Sequence, residues 1–240
     1  MQNPITTTSN GSLGSLAHGE VDTSRGGPLA RLERFGEYSF LEKSESVSEL
    51  YWLWKTRLYY RLFFGHIGSR SKLISPMRLK NVQRIFIGDR VTINKYSFLL
   101  TLSLPAQPAP RLAIDDGCVI GHMNHITCVN EVTIGAKVLT ADRVHISDNS
   151  HVFTDTSRAI LEQGVESTGK VSIGEGTWIG ENASVLSCSV GKHCVVGANA
   201  VVISDVPDYC VVVGVPARVV RRFDPVTSEW KSTPDREELI

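Results

Sequence analysis

The sequence predicts an all-β chain wound as a parallel β-helix solenoid, with a helical region before it and a short extension after it. Two observations predict this. An isoleucine, leucine or valine recurs every six residues through the middle of the chain, as in Ile134-Gly135-Ala136-Lys137-Val138-Leu139. Six is neither the helical period nor an ordinary strand length, and self-similarity at a short fixed period marks a solenoid whose repeats pack only on their neighbours. The residue four places after each lead is mostly small, as at Val91, Ser97, Cys118, Val138, Ala183 and Ala200, which suits corners stacked tightly from coil to coil.

Residues 1–35 are rich in Ser, Thr, Gly and Asn with few large apolar groups, and they lack the apolar run of a secretory signal. They read as a disordered segment of a cytoplasmic protein. Residues 36–65 form an amphipathic helical region, because Val47, Leu50, Tyr51, Trp54, Leu58 and Leu62 fall at helical spacing against Lys55, Arg57 and Arg61. Two roles stay open for it. One is to cover the first coil, which would otherwise present unpaired edge backbone. The other is peripheral contact with the inner face of a membrane through the aromatic and basic run Tyr51-Trp52-Leu53-Trp54-Lys55. No stretch is long and apolar enough to span one.

Residues 66–213 make the solenoid. Its leads are Ile67, Leu73, Leu79, Ile87 and Ile93, then Ile114, Ile120, Ile126, Ile134, Thr140 and Ile146, then Ile173, Ile179, Val185, Val190, Val196 and Val202, with three hexads to a triangular coil. Glycine or a small polar residue in second place suits a backbone bend at each corner. Two long excursions break the array, from Asn94 to Leu112 and from Val152 to Lys170. Such excursions are functional or mobile. Residues 214–240 complete the chain as a turn and tail.

The 25 Lys and Arg balance 25 Asp and Glu, which argues against nucleic acid as a partner. Five cysteines without CxxC spacing, two of them on the small hexad position, fit packing better than disulfides or metal. His125, His145 and His151 all take the outward sixth place of their hexads. The hexads of Ile120 and Thr140 lie on one face of successive coils, so His125 and His145 are expected to stack about 4.8 Å apart. His151 stands where the chain leaves the solenoid, and an imidazole can accept a proton near neutrality.

The hexads, the stretch Ile146-Ser147-Asp148-Asn149-Ser150-His151, and the segment from Ser204-Asp205-Val206-Pro207 to Val213-Gly214-Val215-Pro216-Ala217-Arg218 resemble the hexapeptide-repeat acyltransferases. The likeness covers about residues 66 to 222 and is greatest to the galactoside, maltose, xenobiotic and polysaccharide O-acetyltransferases. It implies a left-handed coil, which the period alone does not give because that hand runs against the right-handed crossover rule. It also implies acetyl-CoA as acyl donor, no metal, a saccharide or a nucleotide- or lipid-linked sugar as acceptor, and a homotrimer with its sites between subunits.

By the same resemblance His151 is the general base that takes the acceptor hydroxyl proton, with direct transfer and no acyl-enzyme. Asp148 either orients its ring or is a solvated turn carboxylate. Trp178, Gly180 and Ala198 line the pantetheine arm, and the backbone NH groups of Gly180 and Ala198 face the arm and the thioester oxygen. Arg218 and Arg221 meet the phosphates, unless they are a solvated basic tail. Ser204 stands where the family often has lysine. Asn124 and His125 line the acceptor pocket, while Gly121, followed by His122, replaces an asparagine of related sugar enzymes, so acceptor identity does not carry over. Three alternatives remain: N-acylation of an amino-sugar nucleotide, a zinc lyase of the γ carbonic anhydrase type built on stacked histidines, and a non-catalytic scaffold.

Overall fold

The computed structural model describes residues 40–105 and 107–233. The expectation of a disordered segment at residues 1–35, with His18, lies outside the described residues. The chain divides into a unit Met1–Val47, of which the start of a helix is described, and a unit Ser48–Ile240. In the second unit short strands build three sheets of six, nine and six strands, with a separate two-stranded ribbon. The coils of this second unit form a left-handed parallel β-helix.

The hexad leads make the core. All are buried except Leu79, which is half-buried, and leads of successive coils pair in register, as Ile87 with Ile114, Ile114 with Ile134 and Ile134 with Ile173. Each such isoleucine withdrawn from water contributes about 1.5–3 kcal/mol, so the stacked column holds the coils together.

The corners differ from expectation in one respect. The left-handed backbone conformation falls three residues after the lead, at Arg70, Arg90, Tyr96, Met123, Lys137 and Arg143, with φ from 54 to 64°. The second-place glycines have ordinary φ. They are needed because neighbouring coils come too close there for a Cβ, which at Gly121 would sit 2.2 Å from the Ala141 carbonyl oxygen.

The first excursion is shorter than expected. Leu99 is fully buried in the strand Phe98–Thr101, paired with Leu79 and Ile126, so the irregular segment begins at residue 102. Leu100 occupies the second place of that hexad and hides the repeat. The second excursion opens as an antiparallel ribbon in which Asn149–His151 pairs with Val165–Ser167. At the far end Cys210–Gly214, Ala217–Asp224 and Glu229–Ser232 form an antiparallel meander, where a turn and tail were expected.

The helix Phe40–Leu58 meets the first coil by a polar contact. From Ser48 onward it meets the first coil through Thr56, which is fully buried: its hydroxyl accepts from the Leu73 amide at 2.9 Å and donates to the Trp52 carbonyl at 2.7 Å. Much of the apolar stripe stays exposed, with Leu50, Trp54, Leu58 and Leu62 each 56–76% exposed. An edge amide requires a polar partner, and Thr56 supplies one where the aliphatic stripe does not.

Candidate active site

His151 ends the first strand of the ribbon. Its side chain is exposed, and no hydrogen bond engages its ring among the described residues. Asp148 is what turns the chain outward just before it. Its carboxyl group is wholly buried and accepts from the amides of Val129 and Asn130, both at 2.8 Å, and from the Asn149 side-chain amide at 3.1 Å, while the Thr168 amide donates to its carbonyl at 2.9 Å. Neither expectation for Asp148 survives this geometry: it is not solvated, and its hydrogen bonds go to the coil below rather than to His151. The preceding coil leaves two amides open at that corner, and a carboxyl group is the strongest acceptor within reach. Asp89, Asp116 and Asp142 serve other corners similarly, receiving the amides of Ser69, Asp89 and His122.

His125 and His145 are register partners, and their rings stack at 5.3 Å with an interplanar angle of 28°, continuing to Phe98 at 5.0 Å from His125. Stacking turns ring faces rather than ring nitrogens toward each other. Desolvation lowers the pKa of His125, helped by the positive charge of Arg78, and lowers that of His145, helped by His125. The unfolded chain therefore binds more protons than the folded one as pH falls through about 6.5, and stability drops on acidification in that range. Thermal midpoints measured from pH 7.5 to 5 will fall, and the double variant His125→Gln, His145→Gln will fall less.

Asn124 does not line a pocket. It is fully buried at the small inward place of its hexad, where its amide donates to the carbonyls of Ala141 at 2.9 Å and His122 at 3.2 Å and accepts from the Thr140 hydroxyl at 3.0 Å. The sequence reading missed His122, whose Nδ1 lies 3.1 Å from Asp142 Oδ1. One coil separates the two, and that spacing was the available signal.

The expected coenzyme residues gather in part. Trp178, Val195, Val211 and Arg221 are successive register partners across one sheet, a row of three strand spacings, about 14 Å. Arg218 pairs with Val213, two residues from Val211, so Arg218 and Arg221 share a face despite their odd spacing, because the strand bulges between them. Trp178 is 49% exposed and Ser204 is exposed. Gly180 departs from expectation: it is buried and its amide donates to the Val196 carbonyl at 2.8 Å, so that NH is not free. Ala198 is exposed, and no hydrogen bond within the described residues takes its amide. His151 projects from a different sheet, apart from the Trp178 row.

No family model matches the chain. A "Probable acetyltransferase" of Mycobacterium tuberculosis is 36% identical over 138 residues, 57% of this chain and 42% of that protein. The "Putative lipopolysaccharide biosynthesis O-acetyl transferase WbbJ" of Escherichia coli is 28% identical over 163 residues, 65% of this chain and 81% of the relative. Among solved structures, the N-acyltransferase AntD of Bacillus cereus, in complex with dTDP and 3-hydroxybutyryl-CoA, shares the fold with a TM-score of 0.55 at 16% identity, over 77% of this chain and 92% of that one. The chain is thus similar in sequence to proteins named as acetyltransferases and shares the fold of an acyltransferase. Its match spans less than half of the mycobacterial relative's length.

In this hexapeptide-repeat protein the five cysteines are packing residues: all are buried and none is bridged. Burial pushes the thiols of Cys118 and Cys188 up to about 11 and, with the nearby Asp148 charge, that of Cys128 to about 12. Burial also raises Cys194 and Cys210. At pH 8 the native protein will resist iodoacetamide at all five positions, and denaturant will release them; mass spectrometry of the alkylated chain checks this.

Proposed function

We propose that this chain transfers an acyl group, acetyl in the simplest case, from coenzyme A to a hydroxyl of a saccharide, with His151 as general base. The observation that carries the reading is the exposed, unengaged imidazole of His151 on a ribbon whose foot is pinned by the buried Asp148. The acceptor O–H gives its proton to a ring nitrogen of His151 as the oxygen attacks the thioester carbonyl carbon. The tetrahedral intermediate then collapses: the C–S bond breaks, the sulfur of coenzyme A takes the proton from the imidazolium, and an ester remains. The free amide of Ala198 supports a place for the pantetheine arm beside it, with Trp178 alongside. The shared face of Arg218 and Arg221 suits the phosphates of the nucleotide end. His151 and the Trp178 row belong to different sheets, which favours a homotrimer in which one copy brings the base to the coenzyme of the next.

A second reading of the base rests on the pairing of His122 with Asp142, which is the arrangement that orients an imidazole for proton transfer.

The test is thiol release from acetyl-CoA over a panel of free, nucleotide-linked and lipid-linked sugars with hydroxyl or amino acceptors, in wild type and His122→Gln. Turnover with hydroxyl acceptors, kept in His122→Gln, supports the proposal. Turnover with amino-sugar nucleotides alone overturns it in favour of N-acylation, and loss in His122→Gln with His151 dispensable moves the base to His122.

A further inference from the structure

The N-terminal end of the solenoid differs from the rest of the molecule in both charge and surface. Residues 48–100 hold ten Lys and Arg against two acidic residues, Glu49 and Asp89, of which Glu49 pairs with Lys72 at 3.1 Å, in a chain that is neutral as a whole. On the same stretch Trp54, Leu58, Leu62 and Phe63 are 52–76% exposed. A groove of about 390 Å³ runs between the helix and the first coil, with Leu50, Leu53, Trp54 and Ile67 in its wall and Arg57, Arg61 and Arg70 beside them. Those three guanidinium groups make no ion pair with the described residues. Exposed apolar side chains beside cations that pair with no described residue mark an interaction surface.

We propose that this end docks on an anionic phospholipid bilayer, with Trp54, Leu58, Leu62 and Phe63 entering the interface and Arg57, Arg61 and Arg70 meeting the phosphate headgroups. The inference goes beyond the proposed activity and does not rest on it. The charge selects the occupant. A second copy meeting this face by two-fold symmetry would bring two strongly cationic surfaces together. Residues 1–39 carry three arginines against four acids, too little negative charge to neutralise it. Bilayers with anionic lipid offer both an apolar layer for the rings and aliphatic groups and a sheet of negative charge for the arginines. Among the described residues no helix is long and apolar enough to cross a membrane, so the contact proposed is one of the surface.

The full-length protein is floated with vesicles of phosphatidylcholine alone or mixed with phosphatidylserine. It is expected to bind the mixed vesicles, to be released by high salt, and to show a blue shift of tryptophan emission that Trp54→Ser reduces. The triple variant Arg57→Glu, Arg61→Glu, Arg70→Glu is expected to lose at least about 100-fold in partitioning, since each cation removed costs about fivefold. The variant Leu58→Ser, Leu62→Ser is expected to bind more weakly with its charge intact. All these side chains are exposed, so unchanged thermal midpoints are expected to show that the variants fold. Failure to bind mixed vesicles, wild-type binding by the triple variant, or self-association that buries Trp54 in the absence of lipid overturns the proposal. So does equal binding to a nucleic acid that Leu58→Ser, Leu62→Ser leaves untouched.

Discussion

Asp148→Ala is expected to lower the unfolding free energy by about 2 kcal/mol or more, because it strands one buried and one half-buried amide, and a buried amide left unpaired costs about 1–3 kcal/mol. The amides are those of Val129 and Asn130, and they reach Asp148 across a coil boundary where no backbone carbonyl replaces it. Urea unfolding followed by far-ultraviolet circular dichroism measures the loss. Asp148→Asn keeps one acceptor oxygen and is expected to lose less. Two local signs will accompany the global one. The ribbon Asn149–His151 with Val165–Ser167 loses its foot, so limited proteolysis will cut sooner between residues 152 and 164. Cys128, whose thiol is held high by burial and then by the Asp148 charge, will alkylate faster in Asp148→Ala. A variant as stable as wild type, with Cys128 still protected, would show that water satisfies the two amides and that Asp148 is dispensable to the corner.

The core was legible from the sequence because inward residues recur at a fixed step, and burial follows that step from Ile67 to Val202. The contacts that were not legible all cross from one coil to another. Asp148 meets Val129, Gly180 meets Val196 and His122 meets Asp142 at separations set by coil length. Each break in phase changes that length, so although counting hexads placed His145 beside His125, it did not by itself show which side chains would bond across the step. Asn124 shows the cost: its polar side chain and its neighbour His125 suggested a pocket, yet the hexad place it occupies points inward, where Thr140 of the next coil completes its hydrogen bonds. The pairing of Arg218 with Arg221 on one face depends on a bulge that strand alternation does not foretell. Helix orientation was not legible for a different reason. Apolar spacing identified a stripe correctly as a stripe, but whether it turns toward the protein was decided by one edge amide.

His151→Ala is the change with the largest expected effect on activity. A positioned base contributes roughly a hundredfold to ten-thousandfold to a proton-transfer step, and alanine removes the imidazole without disturbing a hydrogen bond, since the ring makes none among the described residues. Stability is therefore expected to match wild type, which separates this variant from Asp148→Ala. Coenzyme A binding, proposed above at Ala198, Arg218 and Arg221, is expected to be retained in His151→Ala and weakened in Arg218→Ala, Arg221→Ala. The most direct measurement is thiol release from acetyl-CoA with an accepted sugar by wild type and His151→Ala, with coenzyme affinity determined for both by calorimetry. A fall of at least about a hundredfold in kcat with coenzyme affinity unchanged is predicted; undiminished turnover by a variant that still binds coenzyme A would contradict the account.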